Sequence, residues 1–589
     1  MKQFFKFMFA SMVGFVLSMI VLFFIILGII SGMMLSLKEE GSVSVSDNSI
    51  LEISFENPIE ERTSNNPFEN FNLNGINSNR TPGLNDILKS ISKAKVDSRI
   101  EGILLNLTSI QAGMATIEEI RNAFLDYKKS GKFIYAYSES YTQGAYYLAS
   151  VADKIYLYPE GDVDFRGLHA DLMFFKGTLE KLEIQPEIIR HGKFKSAVEP
   201  FMYDKMSDEN REQVSTFLNS IWNNILNGIN ASRNIPVDEL QKIADNAEAR
   251  NAENALSLHL VDKLSYYDQL LSDLKMKTDQ GEKEKIKFVS LKKYVRAYVK
   301  GDDFSAKKIA VVYASGDIVS GDGNEDQIGS DKIAAAIRKA RLDSSVKAIV
   351  FRINSPGGSA LASDVIWRET ILAQKTKPFI VSMGDYAASG GYYIACAADT
   401  IVARPNTITG SIGVFGLLFN TQNMFKNKLG ITFDSVKTGR YADLGSMNRP
   451  MKDNERAIIQ GEVEKVYDTF ISHVAIGRKM TKENVDNIGQ GRVWSGVDAK
   501  RIGLVDVLGG LNDAISIAAK KANLTTYRTI ALPEQKEFLE KLVEDLNAEA
   551  KVYFAKQQLG ESYLYLETFN DLAKQKGIMA KIPFMMKIK

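Results

Sequence analysis

A serine flanked by small residues is the first group in this chain that could do chemistry. Ser389 lies in the run AASGG at 387–391, between two apolar stretches. Small neighbours let a substrate backbone approach closely, and a free amide at Gly390 would face a developing negative charge. The same pattern also suits a serine that only caps a helix. The residues around Ser389 leave both interpretations open.

A second motif, NSPGGS at 354–359, follows the apolar run VKAIVFRI directly. Paired glycines allow backbone conformations that turn amide groups toward a site, and an oxyanion hole needs two such donors. A plain turn is the alternative interpretation. The motif therefore independently supports the hypothesis that Ser389 is catalytic.

A nucleophilic serine also needs a base. None of the four histidines lies near these motifs in the sequence, so a Ser-His-Asp arrangement would have to bring in His191, with no evident acid partner. A lysine serves instead if burial lowers its pKa from about 10.4 toward about 7 to 8. Lys193 and Lys195 lie in the segment KFKSAVEPF, where Lys195 has the more apolar neighbours. The residues do not choose between them, and either could be a surface lysine.

These candidates belong to two copies of one pattern. The stretch DSRIEGILLNL at 97–107 returns as DSSVKAIVFRI at 343–353, and the stretch at 141–159 returns at the same offset at 387–405. Ser389 stands where the first copy has Gln143. Conversely, the first copy has Lys195 where the second has Ala442. A duplicated fold has thus divided a serine and a lysine between its halves.

Both copies alternate short apolar runs with helical segments. In the second copy, KIAVVYASG, VKAIVFRI, KPFIVSMG and DTIVARP predict strands, and DKIAAAIRKARL and ALASDVIWRETILAQK predict helices. This order predicts βαβ crossovers and a largely parallel sheet in an α/β fold. We predict an anchor at 1–45, a first repeat at 46–300, a second repeat at 301–533 and a helical extension at 534–589.

The amino-terminal region predicts a membrane anchor. No charged residue lies between Lys6 and Lys38, a stretch longer than the roughly 20 residues that span a bilayer. A cleavable signal peptide has a shorter apolar region and a small-residue exit. Lysines precede the span and two glutamates follow Lys38, which predicts a cytoplasmic amino terminus and a body outside the cytoplasm. A buried core helix is the alternative.

The remaining composition narrows the possibilities. The net charge of +1 gives no electrostatic reason to expect nucleic acid as a partner. The single cysteine, Cys396, excludes an intramolecular disulfide and a cysteine-rich zinc site, and its apolar neighbours predict burial. The polar stretch at 57–85 predicts a long loop rather than packed structure. The basic and apolar tail GIMAKIPFMMKIK predicts packing against the body, with contact to a membrane surface as the alternative.

Four motifs together carry a resemblance to a known family. With its apolar span and its duplication, the chain resembles, over nearly its whole length, the long two-repeat type of the signal peptide peptidase A family, which are membrane-anchored bacterial serine proteases with a serine-lysine dyad. The motifs are NSPGGS, DYAASGGYY, TGSIGVFG and GKFKSAVEPF. The resemblance implies Ser389 as nucleophile, Lys195 rather than Lys193 as general base, and Ser411 as the residue that orients the lysine. It implies an oxyanion hole formed by Gly358 and Gly390.

The resemblance also implies tandem domains of the Clp protease and crotonase fold, built from repeated ββα units and assembled as a homotetramer. It implies no metal or organic cofactor, and signal peptides left in the bacterial inner membrane as substrates. We expect such a peptide to bind extended, with its backbone paired to strand edges near NSPGG. Two other classes of protein are alternatives. A crotonase-like acyl-CoA enzyme would need a catalytic carboxylate, and an inactive scaffold would have no need of Ser389, Lys195 and Ser411 together.

Overall fold

The structure, a computed structural model, describes residues 2–38, 43–64, 81–281, 283–298, 305–535 and 578–582. Within them the strands are β1 (Ser49–Ile53), β2 (Ile100–Asn106), β3 (Phe133–Ser138), β4 (Lys154–Leu157), β5 (Gln185–Arg190), β6 (Lys263–Leu264), β7 (Phe288–Ser290), β8 (Lys308–Ser315), β9 (Asp317–Val319), β10 (Gln327–Gly329), β11 (Val346–Ser355), β12 (Gly357–Ser359), β13 (Phe379–Ala388), β14 (Thr400–Ala403), β15 (Ile408–Gly410), β16 (Phe415–Asn420), β17 (Val493–Ser495), β18 (Val507–Leu508), β19 (Arg528–Leu532) and β20 (Ile578–Lys581).

The α-helices in the same residues are α1 (Lys2–Lys38), α2 (Leu84–Val96), α3 (Met114–Lys128), α4 (Gln143–Ala149), α5 (Lys176–Lys181), α6 (Glu199–Met202), α7 (Asp208–Arg233), α8 (Val237–Asp245), α9 (Ala252–Ser257), α10 (Tyr267–Lys277), α11 (Leu291–Tyr294), α12 (Ser330–Leu342), α13 (Ala360–Gln374), α14 (Gly390–Ala395), α15 (Asp453–Arg478), α16 (Lys482–Ile488), α17 (Gly496–Arg501) and α18 (Leu511–Lys521).

Helix α1 contains the apolar stretch that predicted an anchor. Its window Lys6–Ile25 has a mean hydropathy of 2.5, and 0% of that window is buried against the rest of the protein. A core helix of a globular domain would be covered by its neighbours. By length and composition, α1 is able to cross a membrane.

The two repeats build the same parallel sheet. The first repeat orders its strands β6-β4-β3-β2-β1-β7, and the second orders the equivalent strands β18-β14-β13-β11-β8-β19. Every neighbouring pair in these two runs is parallel. Helices cover these sheets, so the strands are continuous apolar runs rather than alternating ones. The predicted α/β architecture and its duplication are therefore confirmed, and Cys396 is buried in the second core as predicted.

A third sheet joins the two repeats. Its order is β10-β9-β12-β20-β16-β5, and β5 of the first repeat pairs antiparallel with β16 of the second from Gln185↔Asn420 to Arg190↔Phe415. We call β5 and the residues that follow it to Met202 the arm. Because the arm crosses to the other repeat, it brings first-repeat side chains to the ends of second-repeat strands.

The region at 534–589 differs from its sequence prediction. Most of this predicted helical extension lies outside the described residues, but Ile578–Lys581 forms strand β20. The prediction of a helix is wrong for these four residues. Pairing with strands on both sides decides their conformation, since tertiary context overrides the local propensity of so short a segment. The predicted packing of the tail against the body is confirmed for this part.

A buried charge cluster also connects the repeats. Arg352 on β11 is fully buried, and its guanidinium donates to both oxygens of Glu61, at 2.7 and 3.2 Å, and to Glu119 Oε2 at 3.0 Å. Both carboxylates come from the first repeat. Glu61 lies in the stretch at 57–85 that was predicted to be unpacked, and this prediction is wrong at Glu61, which is buried. An ion pair formed across nearly 300 residues leaves no local sequence signal.

We expect Arg352→Met to destabilise the protein by about 3 to 5 kcal/mol, because it leaves buried carboxylates without their cation. Thermal unfolding of the detergent-solubilised full chain measures this. The control is Lys339→Met, which removes an exposed ion pair with Glu534 and should cost about 1 kcal/mol or less. Equal shifts in the two variants would contradict a structural role for the buried cluster.

Candidate active site

Ser389 occupies a sharp turn between a strand and a helix. Strand β13 ends at Ala388, α14 begins at Gly390, and Ser389 itself has φ 55° and ψ −113°. Positive φ is uncommon for a residue other than glycine and is costly unless the surroundings enforce it. The Ser389 amide donates to the Gly410 carbonyl at 2.8 Å, which helps to hold the turn. The hydroxyl is thereby fixed at the carboxyl end of β13, fully buried.

The arm brings Lys195 to this serine. Lys195 Nζ lies 2.8 Å from Ser389 Oγ, and the lysine is fully buried although it comes from the other repeat. Burial lowers the pKa of Lys195 well below its usual value. Lys193, the alternative that the sequence left open, is exposed. The structure therefore places a lysine with a strong tendency to be neutral against the hydroxyl.

Ser411 lies on the other side of the lysine amine. It follows β15 directly, has φ 49°, and its Oγ accepts a hydrogen bond from Lys195 Nζ at 3.1 Å. The Ser411 hydroxyl in turn donates to the Gly491 carbonyl at 3.2 Å. Lys195 Nζ also donates to the Ser411 carbonyl at 3.4 Å, so Ser411 accepts two hydrogen bonds from the amine.

A glycine loop that sequence reasoning did not identify lies against the arm. Gly491 has φ +81°, and a Cβ placed there would lie 2.7 Å from Lys195 Cα. The neighbouring Gln490 carbonyl accepts a hydrogen bond from the Phe194 amide at 2.9 Å. Only glycine permits this approach, so Gly491 determines how deeply the arm inserts. The signal available in the sequence was the pattern Gly489-Gln490-Gly491.

Two backbone amides lie side by side next to Ser389. A Cβ on Gly390 would lie 3.1 Å from Gly358 N, and a Cβ on Gly357 would lie 2.9 Å from Gly390 N. Gly357 has φ +105°, a conformation that favours glycine. The Gly357 amide donates to Ser355 Oγ at 3.1 Å, which stabilises the turn into β12. The paired glycines of NSPGGS thus pack closely against Gly390, which places the Gly358 and Gly390 amides next to each other beside the serine.

Sheet topology explains why these residues meet. Strands β11, β13 and β15 are neighbours and run parallel, so their carboxyl ends lie at one edge. The glycine turn follows β11, Ser389 follows β13 and Ser411 follows β15. Ligand sites in parallel α/β sheets form at this edge. The remaining group, Lys195, arrives from the first repeat because β5 pairs with β16.

His191, the alternative base, has other partners. His191 Nδ1 lies 2.6 Å from Glu464 Oε2, and the imidazole stacks on Tyr467 with ring centroids 3.7 Å apart. The described contacts join it to the outer helix α15 and not to Ser389. The arrangement around Ser389 is a hydroxyl, a buried amine and two neighbouring backbone amides, which are the kinds of group that nucleophilic acyl transfer requires.

Comparison with known proteins agrees with this geometry. The model of peptidase family S49 matches residues 126–281 and 371–525, one match in each repeat, and the Clp protease model matches residues 301–409. The chain is 39% identical over 464 residues to Protease 4 of Haemophilus influenzae, covering 77% of this chain and 75% of that protein. It is 38% identical over 491 residues to Protease 4 of Salmonella typhi, covering 81% and 79%.

A plant relative shows the same likeness. The chain is 35% identical over 458 residues to the chloroplastic serine protease SPPA of Arabidopsis thaliana, covering 77% of this chain and 67% of that protein. The family model and the relatives each extend across both repeats. The chain therefore belongs to peptidase family S49, and it is a serine protease.

Proposed function

We propose that Ser389 and Lys195 are the catalytic dyad of this protease, divided between its two repeats. The observation that carries the proposal is the distance of 2.8 Å between Lys195 Nζ and Ser389 Oγ in a fully buried site. Within the described residues no carboxylate contacts this amine. Its surroundings therefore favour the neutral form, which is the form that can act as a base.

The proposed mechanism follows from the positions of these groups. Lys195 Nζ donates to the Ser411 hydroxyl and to the Ser411 carbonyl, so in the neutral amine the nitrogen lone pair is left for the Ser389 hydroxyl. Lys195 takes the hydroxyl proton as Ser389 Oγ attacks a peptide carbonyl, and the amides of Gly358 and Gly390 stabilise the oxyanion. Lys195 then protonates the leaving amine. Water activated by the same lysine hydrolyses the acyl-enzyme.

We propose signal peptides and other apolar peptides as substrates. The family resemblance supports this class, and so do the apolar side chains beside the glycine turn. Val198 of the arm and Phe415 of β16 are both buried and form one small apolar cluster there. Strand β20 pairs with β12 on this side in the structure, and an extended peptide that took its place would present its side chains to this cluster.

We propose that α1 anchors the enzyme in the bacterial inner membrane as a single span, with its amino terminus in the cytoplasm and its catalytic body in the periplasm. The unburied apolar window of α1 and the lysines before it support this topology. We also propose domain boundaries after residues 45, 300 and 533, which separate the anchor, the two repeats and the C-terminal extension. The arm belongs to the first repeat by sequence and packs on the second.

We also propose a homotetramer. The family resemblance suggests it, and the second-repeat segment Leu429–Met447 supports self-association. In the duplicated pattern, this segment overlaps the part of the second repeat that corresponds to the arm. Unlike the arm, it exposes several large apolar side chains: Leu429, Ile431, Phe433, Val436 and Met447. An exposed apolar segment of this kind is typical of an interaction surface.

To test the dyad we would change each member without opening a large cavity. We expect Ser389→Ala and Lys195→Met each to lower kcat/KM for a quenched fluorescent signal peptide by at least ~10³-fold, since each removes a group that acts in proton transfer or bond formation. Lys193→Met is the matched control, because it changes an exposed lysine two residues away and should leave kcat/KM within about twofold.

Activity that survives Lys195→Met but is abolished by Ser389→Ala would refute the proposed base and retain the nucleophile. Circular dichroism and the melting temperature show whether each variant is folded. If Lys193→Met caused the larger loss, the assignment of the two lysines would be reversed.

The pH dependence should report the buried amine. Protonated Lys195 cannot accept the serine proton, so kcat/KM should fall as the pH drops through the pKa of Lys195 and reach a plateau above it. Because burial lowers that pKa, the acid limb should lie well below the usual lysine value of about 10.4. The unfolded chain binds this proton more readily than the folded one, so stability should decline in the same direction. A limb that disappears in His191→Gln would instead make the histidine the base.

The proposed topology can be tested by labelling one introduced cysteine. Cys396 is buried, so background labelling should be low, and Lys129 has a side chain that is 73% exposed. We expect Lys129→Cys to react with a membrane-impermeant maleimide in cells whose outer membrane alone has been permeabilised. Labelling that requires lysis of the inner membrane would place the body in the cytoplasm.

A further inference from the structure

One glutamine amide lies between the arm and strand β17. Gln213 belongs to α7 of the first repeat and is buried. Its Nε2 donates to the Phe194 carbonyl at 3.1 Å and to Ser196 Oγ at 2.9 Å, on either side of Lys195 in the chain. Its Oε1 accepts a hydrogen bond from the Val493 amide at 3.2 Å. A single side chain thus joins the backbone that carries the lysine to a strand of the other repeat.

The partners of this amide fix its orientation. A backbone amide can only donate and a carbonyl can only accept, so Oε1 must face Val493 and Nε2 must face Phe194. Asn210, three residues earlier on α7, accepts a further hydrogen bond from Nε2 at 3.1 Å. The Asn210 amide in turn donates to Glu199 Oε2 at 2.9 Å, and Glu199 is a fully buried residue of the arm. Glu199 therefore orients Asn210 and, through it, Gln213.

Strand β17 also holds the serine that accepts from the lysine amine. Val493 of β17 pairs with Gly410, the last residue of β15. The Ser411 amide, next in the chain, donates to the Arg492 carbonyl at 2.7 Å. Movement of β17 against the arm would therefore change the separation between Lys195 Nζ and Ser411.

Charged side chains surround the arm without contacting the amine. The charged and titratable residues around it are Arg190, His191, Lys193, Glu199, Glu464 and Arg492. The described hydrogen bonds of Lys195 Nζ all go to Ser389 and Ser411. Burial, and not a neighbouring charge, is what lowers the pKa of Lys195. Close packing of the arm is therefore what favours the neutral amine.

We infer that Gln213 is a positioning residue for the reaction, because it fixes the arm against β17 and thereby sets the distances from Lys195 Nζ to the two serines. This inference rests on the proposed function of the dyad. The described hydrogen bonds of Gln213 do not reach β12 or β16, so it should affect the chemical step rather than substrate binding. A misplacement of about 1 Å at a reacting group can lower a rate about 10²-fold.

Replacement of the amide by an apolar side chain of similar length tests this inference. We expect Gln213→Met in the detergent-solubilised full chain to lower kcat for a quenched fluorescent signal peptide by about 10- to 100-fold, with KM within about twofold. A looser arm admits water to Lys195, and weaker burial raises the pKa of a lysine toward its usual value. The acid limb of the pH profile should therefore move to higher pH. A general loss of stability would lower activity without moving this limb.

Ser220→Ala is the matched control. Ser220 lies on the same helix, and its Oγ lies 2.8 Å from Ser495 Oγ on the same strand, but its described hydrogen bond does not reach the arm. We expect this variant to keep kcat within about twofold and to keep the wild-type acid limb. Ser196→Ala removes only one of the contacts of Gln213 and should move the limb in the same direction by a smaller amount.

An acid limb at the wild-type pH in folded Gln213→Met would overturn the positioning role and leave the dyad in place. If that variant does not fold, the same result in Ser196→Ala would overturn it. An equal shift in Ser220→Ala would also do so, because any contact between α7 and β17 would then have the same effect. Lys195→Met belongs in the same series: if it retained activity, the proposed base itself would be wrong.

Discussion

A lysine amine lies buried beside a serine hydroxyl, with no carboxylate in contact among the residues that the structure describes, and this constrains everything around it. Burial penalises the charged ammonium, so the surroundings must keep water away and still satisfy the N–H groups of a neutral amine. Ser411 accepts two of these hydrogen bonds, and Gly491 lets the backbone of the arm approach closely enough to deliver Lys195. The pairing of β5 with β16 fixes the arm in turn. The fold around the site therefore serves to bring a buried lysine, whose pKa is lowered by burial, to one hydroxyl.

A second group of contacts, made by buried charged residues, holds the strands of the second repeat in place. Arg352 on β11 meets two carboxylates of the first repeat, and Asp385 on β13 accepts hydrogen bonds from the backbone and hydroxyl of Thr116. Asn354 bonds to Glu61 through its amide nitrogen and accepts from the Tyr386 amide through its oxygen. These contacts fix β11, which leads to Gly357 and Gly358, and β13, which leads to Ser389. The first repeat thus supplies a lysine on one side of the site and a rigid support on the other.

The sequence predicted what depends on local pattern. The apolar runs at 100–106, 346–355 and 379–388 became parallel strands, and the glycines and Ser389 lie where strand ends place them. Residue types could not separate Lys193 from Lys195, because their burial is set by pairing of the arm with a strand more than 200 residues away. The ion pair of Glu61 with Arg352 could not be predicted for the same reason, because the two residues are far apart in the sequence. Strand β20 was out of reach for a related cause: four residues gain their conformation from two neighbouring strands and not from their own propensity.

The order of the two halves along the chain sets when the enzyme first becomes complete during its synthesis. Lys195 precedes Ser389 by 194 residues, and a ribosome adds about 5 to 20 residues per second. The half with the lysine therefore emerges some tens of seconds before the serine exists. During this interval the proposed dyad is incomplete, because the chain contains the proposed base and not yet the proposed nucleophile. The division of the proposed dyad between the repeats thus delays the assembly of the site until the second repeat has been made.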